Sequence, residues 1–235
     1  MNYFGHVALA CRFSGSPEFL LGSMLPDLAG IIGCTTPHCT LRAVQQGVRF
    51  HLLTDEKFHQ TETFRSLVRA CRRELELAGM RRAPARAASH VAIELLLDAE
   101  LSNVPLHGIA FRTALRIAGQ SGTGNQLQWT ADDAAEKFES LRLRLVERST
   151  CGDFFANDRL VERLVYALQR RPRLKMSPHE QNIIRQWIYG RAALLGSELA
   201  ALWIRLHEWI SVRWQSTPQP DLVQPIYFST TSRTQ

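Results

Sequence analysis

The feature that most constrains the fold is a polar stripe that occurs on two separate helical segments. In GVRFHLLTDEKFH (47–59), His51, Asp55 and His59 recur every fourth residue of an amphipathic run. At about 100° per residue, each step of four drifts only about 40°, so the three side chains share one helical face. In ASHVAIELLLDAELS (88–102), His90, Glu94 and Asp98 repeat the spacing. Two helices striped with imidazole and carboxylate can face each other across a bundle and enclose a metal site.

The rest of the chain is compatible with that architecture. Helical spacing covers 2–12, a segment started by Ser16 and Pro17, then about 41–77, the 90–98 stripe closed by Asn103 and Pro105, and 107–118. It continues over about 130–148, 157–170 and 178–214. Pro26 disfavours helix at Leu25 and predicts a break that aims Asp27 at a partner. Residues 31–40 and 119–128 read as loops, and no period-two alternation persists. The expectation is an all-α, single-domain helical bundle over 1–214, followed by a proline-rich, extended or disordered tail over 215–235.

Composition narrows the setting. With 235 residues, 45% of them hydrophobic, there is material for a substantial core. No run approaches the ~18–20 apolar residues of a membrane span. The start, MNYFGHVALACRF, has no basic export signal, and the odd set Cys11, Cys34, Cys39, Cys71 and Cys151 forms no disulfide framework, so a cytoplasmic setting is expected. Cys34, His38 and Cys39 match no standard zinc-finger spacing. A formal charge of +6 and a pI near 9.4 come with arginines clustered at Arg65, Arg69, Arg72 and Arg73 and again at Arg81, Arg82 and Arg86. Such a field can steer an acidic protein or a phosphorylated ligand, and Arg69, Arg72 and Arg73 are candidate partner contacts. Nucleic acid is disfavoured, because no aromatic residues interleave the basic ones.

The unusual polar residues are His6, Asp27, His51, Asp55, His59, His90, Glu94 and Asp98. Four carboxylates packed together without cations would raise one another's pKa values. One or two divalent ions would balance them, and mixed His/carboxylate ligation suits Mn, Fe, Zn or, less well, Mg. Such ions polarise phosphoryl oxygens and activate water at neutral pH. His6, Asp27, His51, Asp55, His90 and Asp98 are the candidate ligands, and Asp27, His59 and Glu94 the candidate catalytic residues. His38, His107, His179 and His207 lack a carboxylate at helical spacing and are assigned no role.

The order MNYFGH, GSMLPDLAG, GVRFHLLTD and VAIELLLDAELS resembles the bacterial acyl carrier protein phosphodiesterase family, divergent relatives of the HD-type metal-dependent phosphohydrolases. Asn2, His6, Gly22, Asp27, Gly30, Gly47, His51, Asp55, Glu94 and Asp98 stand at matching positions, and DRLVERLVYALQRRPRL (158–174) is similar to the family's downstream helix. The resemblance implies an HD-like bundle that hydrolyses the phosphodiester joining 4′-phosphopantetheine to holo-acyl carrier protein, with a divalent metal such as Mn²⁺. It implies Asp27, His51, Asp55 and Asp98 as metal ligands, Glu94 as ligand or base, and a basic face for the acidic carrier protein. Leu52 stands where the family has Arg, His59 where it has Asp and Ala99 where it has His, and His90 has no counterpart. Hydrolysis of another small phosphoester and a helical binding protein without activity are the alternative readings.

Overall fold

Ser16 and Pro17 open a helix as the sequence predicts: the Ser16 side chain accepts a hydrogen bond from the Phe19 amide, and Pro17 occupies the first turn. This helix belongs to a computed structural model that describes residues 1–150, 153–169 and 171–215. The helices are α1 (Tyr3–Ala10), α2 (Pro17–Ile32), α3 (Arg42–Gln60), α4 (Glu62–Leu77), α5 (Arg82–Ser102) and α6 (Pro105–Ala118). They are followed by the one-turn α7 (Ser121–Gly124), α8 (Ala134–Ser149), α9 (Asn157–Gln169), α10 (Pro178–Arg191) and α11 (Gly196–Gln215). The only strands among the described residues are β1 (His38–Cys39) and β2 (Leu127–Gln128), a two-residue antiparallel pair that ties together the two expected loops. The fold is all-α. Apart from Gln215, the expected tail lies outside the described residues, as does Cys151.

Three boundaries differ from expectation. Residues 41–77 form two helices, because Thr61 takes an extended conformation (φ −66°, ψ 137°) and its side chain caps α4 by accepting from the Phe64 amide. Residues 178–214 likewise divide into α10 and α11. Pro26 does not break α2, which runs unbroken to Gly33 in the left-handed conformation (φ 77°). Proline removes one intrahelical donor. Against that loss, α2 buries Phe19, Leu20, Leu21, Met24, Leu25 and Leu28 completely or nearly so.

The contact between α2 and α3 sets the geometry of the site. A Cβ on Gly47 would lie 2.2 Å from the Phe19 carbonyl oxygen and 2.7 Å from Gly22 Cα, and one on Gly22 would lie 2.2 Å from the Val44 carbonyl oxygen. Only glycine at both positions lets the two backbones touch. Every residue of α1 is buried, and α1 packs against α2, α5 and α6. Phe50 of α3 meets Phe19 and Trp214, so α11 closes the bundle behind the helix that carries the first stripe. No described helix is long and apolar enough to cross a membrane.

Candidate metal centre

The two stripes do face each other. His51, Asp55 and His59 on α3 and His90 and Glu94 on α5 converge, joined by His6 from α1 and Asp27 from α2. The donors form two groups, His6–Asp27–His51 and His59–His90–Glu94. Asp55 stands between them, with Oδ1 3.3 Å from His6 Nε2 and Oδ2 3.2 Å from His59 Nδ1.

Hydrogen bonds fix the tautomers in the first group. His51 Nδ1 lies 2.9 Å from the Ser23 carbonyl oxygen and can only donate to it, which leaves the Nε2 lone pair facing Asp27 Oδ1 at 3.8 Å. Thr54 spends its hydroxyl proton on the Phe50 carbonyl at 2.8 Å. Its oxygen therefore accepts from His6 Nδ1 at 3.1 Å, and His6 Nε2 too presents a lone pair to a carboxylate. The two rings stack with centroids 3.8 Å apart.

Electrostatics keep both imidazoles of this group neutral. Burial pushes His51 down to about 4, and burial together with the adjacent His51 pushes His6 well below the ordinary imidazole range. Burial raises Asp27 well above a normal carboxylate, and its Oδ2 is a buried oxygen with no hydrogen-bond partner. The contact between His51 and Asp27 is thus between two neutral groups rather than an ion pair. A buried acceptor without a donor is costly. Ligand atoms of Asp27 and of the neutral imidazoles His6 and His51, all within 4.8 Å of one another, make up a donor set that a divalent cation can satisfy. The residues present fit a metal.

The second group is more open. His59 Nε2 lies 3.1 Å from both His90 Nε2 and Glu94 Oε1, and His90 Nε2 lies 3.2 Å from the same oxygen. Burial opposes a charge on His59, but hydrogen bonds to Asp55 and Glu94 prevail and raise it to about 9. Burial likewise opposes charge on Asp55 and Glu94. His59 and the Met1 ammonium, 2.7 Å from Asp55 and 3.1 Å from Glu94, nevertheless hold both carboxylates well below their usual range. Where a cation can sit, a proton and an ammonium now balance the acids.

Asp98 departs from the expected ligand set. It is fully buried and belongs to neither group: its oxygens accept from Asn2 Nδ2 (2.8 Å), the Gly5 amide (3.0 Å) and Arg163 (3.3 Å). Burial still raises it to about 7, against the pull of Arg163. The i+8 step that aligns it with His90 carries it a further turn along α5, beneath α1, where it fastens α1 instead of reaching the metal donors. Sequence reasoning missed Arg163 and Phe64. Arg163, on α9, bonds Asp98 and the Tyr3 hydroxyl and lies over the rings of Tyr3, Phe154 and Phe155. Phe64 sets its edge against both His59 and His90. Its position just after the Thr61 cap was the available signal.

The arginine cluster lies along α4, partly neutralised by its own helix: Arg69 pairs with Glu62 and Arg72 with Glu76, while Arg73 is exposed. His107 donates to the Leu101 carbonyl at 2.8 Å as a buried structural histidine. Comparison with models of known families, with curated proteins and with solved structures finds no match to this chain.

Proposed function

We propose that this protein is a metal-dependent phosphoric diester hydrolase, of the kind that releases 4′-phosphopantetheine from holo-acyl carrier protein. The observation that carries the reading is the pair of neutral imidazoles, His6 and His51, whose Nε2 lone pairs face Asp55 and the orphaned carboxylate of Asp27. His6, Asp27 and His51 would hold a divalent ion, Mn²⁺ by the resemblance, with Asp55 beside them. A bound ion supplies Lewis acidity toward a phosphoryl oxygen. Ser23 and Thr54 orient the two imidazoles, as outer hydrogen bonds do for metal-ligating histidines. Asp98 and Arg163 hold α1, and so His6, in place.

The test is hydrolysis of bis(p-nitrophenyl) phosphate by metal-stripped protein to which Mn²⁺ is returned, compared with His51→Ala. Turnover that depends on the metal and falls at least ~100-fold in the variant supports the reading, since loss of an outer-shell partner alone commonly costs 10–100-fold. Turnover unaffected by stripping or by the substitution overturns it. Holo-acyl carrier protein, followed by the mass lost with phosphopantetheine, resolves the substrate. A second reading, a small phosphoester substrate, is favoured by the pairing of Arg69 and Arg72 with glutamates of their own helix, which weakens the docking field. Cleavage of the generic diester with the carrier protein left intact selects it.

A further inference from the structure

In the second group, His59, His90 and Glu94, only Glu94 has a counterpart in the family that the chain resembles: an acid stands there in place of His59, and His90 has none. We propose that this triad is a second, separate metal position that takes Zn²⁺, added to the first site, with Asp55 standing between the two. The inference rests on the reading of the first group as a metal site.

Four observations carry it. The three donor atoms are 3.1, 3.1 and 3.2 Å apart. Ligands about 2.0–2.1 Å from a tetrahedral zinc are separated by roughly 3.3 Å, so the triad has the dimensions of one face of such a polyhedron. Two imidazoles and one glutamate also form a ligand set that zinc uses in catalytic sites, where a fourth position stays open. His59 Nδ1 lies 2.9 Å from the Asp55 carbonyl oxygen and donates to it, which assigns Nε2 to the shared face.

The last observation is rigidity. His59 and His90 are stacked at 4.9 Å with planes only 14° apart, and Phe64 presses edge-on against both rings. Phe58 meets His59 edge-on as well. Two ring nitrogens in van der Waals contact have no direct bond to gain unless a proton or a cation lies between them. The site is also reachable: the His90 side chain is 42% exposed, against 0% and 5% for His6 and His51.

Metal-stripped full-length protein is titrated with Zn²⁺ against a chromophoric chelator, and the bound metal is counted after desalting. Wild type, His90→Ala and Asp27→Asn are compared. His90 is half-exposed, so its variant keeps the fold, which far-UV circular dichroism checks. Two equivalents in wild type and one in each variant support the proposal. One equivalent in wild type, kept by His90→Ala and lost by Asp27→Asn, overturns the second position and leaves the first intact. Loss of all metal in His90→Ala overturns the separateness of the two positions. No uptake by wild type overturns this proposal together with the reading it rests on.

Discussion

At the residue scale, Asp27 is the side chain whose position makes least sense without a cation. Burial gives it a higher proton affinity folded than unfolded, so the metal-free protein is stabilised by acid and loses that stability as pH rises above 3.8. Asp27→Asn removes the ionisation. At pH 8 the metal-free variant should be more stable than metal-free wild type by about 1–3 kcal/mol in urea unfolding, the cost of a buried, unsatisfied polar group. Added metal should stabilise wild type more than the variant. Equal metal-free stabilities would show that Asp27 carries no such strain. The eight polar residues were legible as a set, because imidazole and carboxylate at four-residue spacing on apolar helices is an uncommon pattern. Their division was not. Asp98 fell in the same stripe as His90, and only the path of α1, whose Asn2 and Gly5 bond Asp98, sets it apart from the grouped donors.

At the element scale, the glycine contact between α2 and α3 decides whether Asp27 and His51 meet. Gly47→Ala places a methyl where the Phe19 carbonyl and Gly22 already are. The helices must separate, at about 2–3 kcal/mol by the usual cost of overpacking. Denaturant unfolding should register that loss, and metal affinity at His6–Asp27–His51 should fall with it. An unchanged midpoint would mean that the interface yields elsewhere. Periodicity located every long helix but not where neighbours end, because Thr61 breaks a continuous amphipathic pattern by its extended backbone and its side-chain cap. The proline in α2 misled for the opposite reason. Its local preference is real, but the burial of the helix on both sides of it outweighs one missing hydrogen bond.

For the whole molecule, one ion pair joins the last helices to the helix bearing the second stripe. Glu180, buried at the start of α10, accepts from the Arg81 amide and guanidinium at 2.8–3.0 Å and from the Ser177 amide at 2.8 Å. The hydrogen bonds from Arg81 chiefly hold its carboxyl down at about 2. Its folded pKa is depressed, so its contribution is complete above the unfolded value of 4.5 and is lost as pH falls from 4.5 through 2. Because the Arg81 side chain is 60% exposed, solvent screens the pair and reduces that contribution. Thermal unfolding of Glu180→Gln should show a flatter acid limb than wild type between those pH values. Parallel limbs would assign the acid sensitivity to other carboxylates. The capping signature of Ser177 and Glu180 was readable in the sequence, but the ninety-nine positions that separate Glu180 from Arg81 left the link between the starts of α5 and α10 hidden.

α3 carries donors of both groups, but not at equivalent points along its length. His51 is mid-helix, packed against α2, whereas His59 lies on the last turn, one residue before the helix ends at Gln60. Terminal turns fray far more readily than helix interiors. An ion held by His59 would therefore leave whenever that turn opens, while one held by His51 would wait for α2 and α3 to part. On the proposed reading, the two positions would differ in lability: one would exchange readily with surrounding metal, and the other would retain its ion for the lifetime of the fold.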